Sequence, residues 1–123
     1  MIFDNQNKKT GFSRLFSACL NTSKGLLWMS KYETAFKQEL LLFLPLIICS
    51  FFLQITLQEQ AVLIGSLLLI LLVETINTAI EAVVDRIGLE IHELSGLAKD
   101  LGSAAVFISF SIALIAWGAV LCD

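Results

Sequence analysis

The sequence predicts an all-α membrane protein, with a basic amphipathic surface helix leading into three transmembrane helices. Three observations carry this. Of the 123 residues, 57% are hydrophobic and 15% charged, against roughly 45–50% and 25% in soluble domains. Two windows, Leu40–Gln58 and Leu101–Cys122, hold no Asp, Glu, Lys or Arg. The basic residues are crowded toward the N-terminus. The length allows one domain, 1–123. A soluble globule of this size has too little interior for so much apolar surface, and the composition argues against a disordered chain or a secreted disulfide scaffold. The net charge of −3 offers no basic face for nucleic acid. Cys19, Cys49 and Cys122 are odd in number and far apart, so they predict neither a zinc site nor a disulfide framework.

The first element is a helix over about 10–30. Phe12, Leu15, Phe16, Cys19 and Leu20 recur at the spacing of one helix face, and Lys8, Lys9, Arg14 and Lys24 surround that stripe. A basic amphipathic helix of this kind lies in the membrane surface. It has no long apolar region or small-residue cleavage site of the type a signal peptide carries. The second element is a span over about 35–56, with Pro45 inside it. The third covers about 60–84. Its charge-free part, Gln60–Val73, is short of the ~20 residues a span needs, so it must take in Glu74 and Glu81. The turn Leu57-Gln58-Glu59 makes these two spans a tight hairpin. The fourth element covers about 97–121, with small residues four apart at Ala98/Gly102 and Ala105/Ser109/Ala113 that allow close helix contact. Between the last two spans lies a polar loop, 85–99, where Gly96 gives the chain freedom to turn. Trp28 and Trp117 read as interface anchors.

Lys and Arg set the orientation. Six of the eight lie before the first span or, as Lys37 does, at its start, and Arg86 and Lys99 flank the 85–99 loop. The N-terminus and that loop are therefore expected in the cytosol, with the first turn and the C-terminus outside.

Acidic groups inside a span are costly and are by default functional. Glu74, Asn77, Glu81 and Asp85 fall within a sector of about 80° at 100° per residue. Asp85 lies nearest water, and Glu74 is about 16 Å deeper along the axis. Three carboxylates and an amide on one face call for a bound cation or a shared proton, and Mg²⁺ and Ca²⁺ favour such oxygen ligands. Glu33 and Glu39 lie at the same boundary and are candidates to complete the site. The segment from Asp85 to Asp100 is dense in groups that handle protons or phosphate, with Arg86 and Lys99 suited to phosphate oxygens. It contains no glycine-rich phosphate loop of a soluble type. Three helices bury so many carboxylates poorly, which argues for an oligomer.

Two stretches carry a family resemblance. Val73–Gly88, reading VETINTAIEAVVDRIG, and His92–Ala105, reading HELSGLAKDLGSAA, resemble the signature of the prokaryotic integral-membrane diacylglycerol kinases, as does Ala35–Glu39. The likeness runs from about Thr10 to the end. It implies a homotrimer in the bacterial inner membrane that phosphorylates diacylglycerol with MgATP to give phosphatidic acid. It implies Glu74 as general base, supported by Asn77, and Glu33 and Glu81 as ligands of Mg²⁺. Arg14, Asn21, Glu33, Glu81, Glu90, Ile91, His92, Lys99 and Asp100 would surround ATP, and Glu39, Glu74 and Ser103 the lipid. Asn21 departs from the enterobacterial pattern, which has tyrosine there, so no ring is available to stack on the nucleotide. An undecaprenol kinase of the same superfamily would use the same carboxylates on a polyprenol. A membrane subunit that relays ions or protons is the alternative outside enzymes, although it would not need the dense segment from Glu90 to Asp100.

Overall fold

The structure is a computed structural model and describes residues 10–122. Lys8 and Lys9 of the basic flank lie outside them. The described residues form four α-helices: α1 (Gly11–Tyr32), α2 (Thr34–Ser50), α3 (Leu57–Ile87) and α4 (Glu93–Leu121).

α1 covers the segment predicted as the first helix. Phe12, Leu15, Phe16 and Leu20 all stay exposed, Phe12 at 90%. Its polar residues cost the helix little, because the Thr22 and Ser30 hydroxyls donate to the Ala18 and Leu26 carbonyls one turn back. Near its end Trp28 packs on Tyr32 with ring centroids 5.5 Å apart and the rings tilted by 42°, and Lys31 lies 5.4 Å over the Tyr32 ring. α1 ends at Glu33, whose backbone is extended while its N–H still donates to the Met29 carbonyl.

α2 is shorter than the predicted span, ending at Ser50 and not at 56. Its 17 residues give about 25 Å of helix, against ~30 Å of bilayer hydrocarbon. The end is marked by i−3 bonds, Phe51 N–H to Ile48 and Phe52 N–H to Cys49. Leu57-Gln58-Glu59, read as the turn, is instead the first turn of α3. The reason is a reciprocal cap. The Thr56 hydroxyl accepts from the Glu59 N–H at 3.1 Å, and the Glu59 carboxylate accepts from the Thr56 N–H at 3.2 Å. Together they satisfy two of the four donors that a helix start leaves open.

The polar segment 85–99 is mostly helix. α3 runs on to Ile87, and α4 starts at Glu93. The chain breaks at Gly88, whose extended backbone still returns its N–H to Val84 at 3.3 Å. Gly96, expected at the turn, lies in the first turn of α4 and donates to the His92 carbonyl.

α3 and α4 run antiparallel as the principal helix pair. Asp85 faces Lys99, Asn77 faces Gly102, and Ser66 faces Trp117. From Gln38 onward α2 packs on them, and Phe43, Leu67, Ile70 and Ala113 form the centre of the core. The buried face of α4 carries Gly102, Ser109 and Ala113, which bears out most of the small-residue face, while Ala105 is exposed. Its outer face shows Phe107, Leu114 and Ile115 at more than 70% exposure. Small residues inside and large apolar residues outside is the reverse of a soluble helix and suits hydrocarbon. α3 and α4 are long and apolar enough to cross a membrane, and 22% and 11% of their most apolar windows are buried within the chain. The core helices of soluble proteins bury far more. The buried hydroxyls of Ser50, Ser66 and Ser109 each donate to a carbonyl of their own helix, at 2.6–2.7 Å, so none is stranded in an apolar setting. Trp117, read as an interface anchor, donates its indole N–H to the Ser66 hydroxyl at 3.1 Å and packs on the core.

Candidate functional site

The acidic stripe of α3 is resolved into three successive pairings. The first is deepest. Glu39 on α2 is buried, and its carboxyl meets that of Glu74 within hydrogen-bonding reach. Its Oε2 has no hydrogen-bond partner. Two carboxyls in contact in a low-dielectric setting need a proton or a cation between them.

The second pairing lies within α3. Asn77 Nδ2 donates to Glu81 Oε1 at 3.3 Å, an i,i+4 contact that the helix repeat makes available. Both residues are half-buried. Asn77 Oδ1 is buried without a partner and lies over Gly102 of α4. The amide is thus turned toward Glu81 and not toward Glu74, which it was expected to support.

The third pairing is at the helix end. Lys99 Nζ lies 3.0 Å from Asp85 Oδ1, with both side chains about half exposed (47% and 50%). An ion pair this open contributes at most about 1 kcal/mol. It ties the last turn of α3 to the second turn of α4, across the five residues Gly88–His92 that separate the helices.

Two adjoining cavities, of about 430 and 260 Å³, open beside this end of the hairpin. Val84, Gly88, Glu90, His92 and Ser95 line both, and Ile91 and Lys99 line the smaller. Four of the residues assigned to ATP, Glu90, Ile91, His92 and Lys99, therefore converge. The His92 ring also caps α4, with Nδ1 accepting from the Leu94 N–H at 3.0 Å. Asp100 and Arg86 are exposed and do not line the cavities, and Ser103 is exposed on α4. Arg14 and Asn21 are exposed on α1, and Glu33 is half-buried at the break after it.

Among the described residues no three His, Cys, Asp or Glu side chains are arranged to hold a metal ion. The donors along the stripe are nonetheless all oxygens, two of them buried and unpartnered, and that donor set suits a hard cation such as Mg²⁺. Reading the sequence alone missed Ser95 as a lining residue, the Asp85–Lys99 pair and the contact of Gly102 with Asn77. The first two needed the true helix ends. The third had a signal in the small residues at Ala98 and Gly102.

Together these features define, over the described residues, an all-helical protein with two membrane-length helices, a stripe of carboxylates on the first of them and cavities lined by charged and apolar residues where the two meet. A family model described as prokaryotic diacylglycerol kinase matches residues 21–121. The chain is 46% identical over 113 residues to a diacylglycerol kinase of Escherichia coli, covering 90% of this chain and 91% of the relative. It is 47% identical over 114 residues to one of Haemophilus influenzae, covering 93% and 97%. It is 42% identical over 113 residues to one of Pseudomonas aeruginosa, covering 92% of each. The chain belongs to the prokaryotic diacylglycerol kinase family.

Proposed function

We propose that this protein transfers the γ-phosphoryl group of ATP to the free hydroxyl of diacylglycerol, giving phosphatidic acid. The observation that carries this reading is the gradient of groups along α3. It runs from the pair of buried Glu39 and half-buried Glu74, through Asn77 and Glu81, to a cavity beside Lys99. A lipid hydroxyl can reach the first part from the membrane, and a nucleotide can reach the last from water.

In this reading Glu74 accepts the hydroxyl proton. The hydroxyl oxygen bonds to the γ-phosphorus, the bond from phosphorus to the β–γ bridging oxygen breaks, and ADP leaves with that electron pair. Such transfer relies on alignment and charge neutralisation more than on covalent chemistry by the protein. Glu33 and Glu81 would hold Mg²⁺, which supplies positive charge to the phosphates and keeps them in line. Glu90, Ile91, His92 and Lys99 bind the nucleotide in the cavities, with Arg14, Asn21 and Asp100 completing its surroundings. Lys99 exchanges Asp85 for phosphate oxygens, with which an ammonium makes charge-assisted hydrogen bonds. Glu39 and Ser103 flank the lipid.

The same reading places the chain in the bacterial inner membrane as one catalytic unit. α1 lies in the surface, α2 makes a third span with its apolar extension Phe51–Leu53, and the N-terminus is cytosolic. Three copies assemble, each completing the polar face of another.

The test is transfer of radioactive phosphate from MgATP in mixed micelles that offer diacylglycerol and undecaprenol together. Label in phosphatidic acid is expected. Label in polyprenyl phosphate would move the activity to a polyprenol kinase. Label in neither lipid, with folded protein, would leave an ion relay as the reading of the stripe.

A further inference from the structure

We propose that Gly102 is a positioning residue for this reaction, acting through Asn77 on Glu81. The inference rests on the kinase reading above. It starts from a contact between helices. Gly102 is buried on α4, and the place where a Cβ would stand is already filled by Asn77. A Cβ there would overlap Asn77 Oδ1 and come within 3.1 Å of its Cγ and 3.9 Å of its Cβ. The whole amide side chain lies in the space that the glycine leaves open.

That space decides what the amide does. Asn77 Nδ2 donates to Glu81 Oε1 at 3.3 Å, near the long end of a hydrogen bond. Oδ1 is buried with no hydrogen-bond partner, so this end of the amide is not held in place by its own hydrogen bonding. The opposite orientation would set Oδ1 against the Glu81 carboxylate, oxygen against oxygen. Glu81 therefore chooses which end of the amide faces it, and Gly102 provides the room for the other end. A methyl group on residue 102 must displace the amide, and the bond to Glu81 has little length to spare. Glu81 then loses its only fixed donor among the described hydrogen bonds, and its carboxylate is free to leave the orientation in which it would hold metal.

Other glycines in the helices do not share this role. A Cβ at Gly65, Gly96 or Gly118 would meet nothing within 4 Å. The effect belongs to the place where Asn77, a polar side chain of the stripe, packs against a glycine of α4.

The test is a double-mutant cycle of Gly102→Ala and Asn77→Ala, read by kinase activity, Mg²⁺ titration and thermal midpoint of the metal-free protein in detergent. Gly102→Ala is expected to lower kcat about 10- to 100-fold, in the range that small misplacements near a reacting centre produce. It is also expected to raise the Mg²⁺ concentration for half-activity several-fold, with KM for diacylglycerol nearly unchanged. In the Asn77→Ala background the added Gly102→Ala change should cost nothing further, because the group it displaces is gone. The thermal midpoint lost by Gly102→Ala should return in the double variant. Additive losses, or a Gly102→Ala protein with normal activity and Mg²⁺ dependence, would overturn the proposal. If Gly102→Ala fails to fold, the double variant decides: recovered folding supports the contact, and continued failure overturns it. Should the unmodified protein phosphorylate no diacylglycerol, the kinase reading fails on its own, and the thermal cycle still decides whether Asn77 and Gly102 are coupled.

Discussion

At the scale of single residues, the acidic stripe becomes intelligible once each member has a neighbour. Glu74 has Glu39, Glu81 has Asn77 and Asp85 has Lys99. The first pairing joins α2 to α3, the second stays within α3, and the third joins α3 to α4. A general base contributes roughly 10²- to 10⁴-fold to a rate. With Glu74 as the proposed base, Glu74→Gln is expected to lower kcat by that factor in the phosphate-transfer assay, while KM for ATP changes little, since the cavity proposed for the nucleotide lies at the other end of the stripe. An unchanged kcat would remove the proton-accepting role from Glu74. The stripe itself was legible from the sequence, because the helix repeat places residues 74, 77, 81 and 85 on one side. Its partners were not. Glu39 and Lys99 come from other helices, and their register depends on where those helices begin and end.

At the scale of elements, the boundaries depended on caps more than on hydropathy. The apolar run continues through Phe51, Phe52 and Leu53, which is why the first span read as lasting to 56. The Thr56–Glu59 box overrides that continuity, since it offers the start of α3 two hydrogen bonds that a longer α2 could not use. The pattern Thr-Leu-Gln-Glu was a local signal for this start. Likewise His92 and Gly88 turn a segment read as loop into two helix ends. Removing the Thr56 hydroxyl tests the weight of the cap. Thr56→Ala is expected to destabilise by about 0.5–2 kcal/mol, and Thr56→Ser by much less, as measured by reversible unfolding in mixed micelles. Equal losses for both changes would show that the hydroxyl is not what holds the start of α3.

At the scale of the whole molecule, the described helices expose large apolar side chains on most faces. Exposed apolar surface far beyond a few hundred Å² requires a covering partner, which here is lipid, other copies of the chain, or both. The helix class was readable from composition and α4 from its charge-free window, while α3 was readable only by carrying its shorter charge-free run on through Glu74 and Glu81. Oligomer state has no comparable signature in one chain. The cysteines offer a direct test of orientation, as Cys19 and Cys122 are exposed near opposite ends of the sequence. In intact spheroplasts an impermeant maleimide should label Cys122 and spare Cys19, and permeabilisation should add Cys19. The reverse pattern would invert the membrane orientation.

The cap on α4 has one more consequence, which concerns the imidazole of His92. Nδ1 is occupied as an acceptor by the Leu94 N–H. In the neutral ring the hydrogen must then reside on the other nitrogen. The helix start therefore selects the Nε2-H tautomer, in a residue that also lines the cavity. Toward a nucleotide, this ring can give a hydrogen but cannot receive one at Nε2, so a phosphate oxygen or an unprotonated purine nitrogen suits it, and an exocyclic amino group does not.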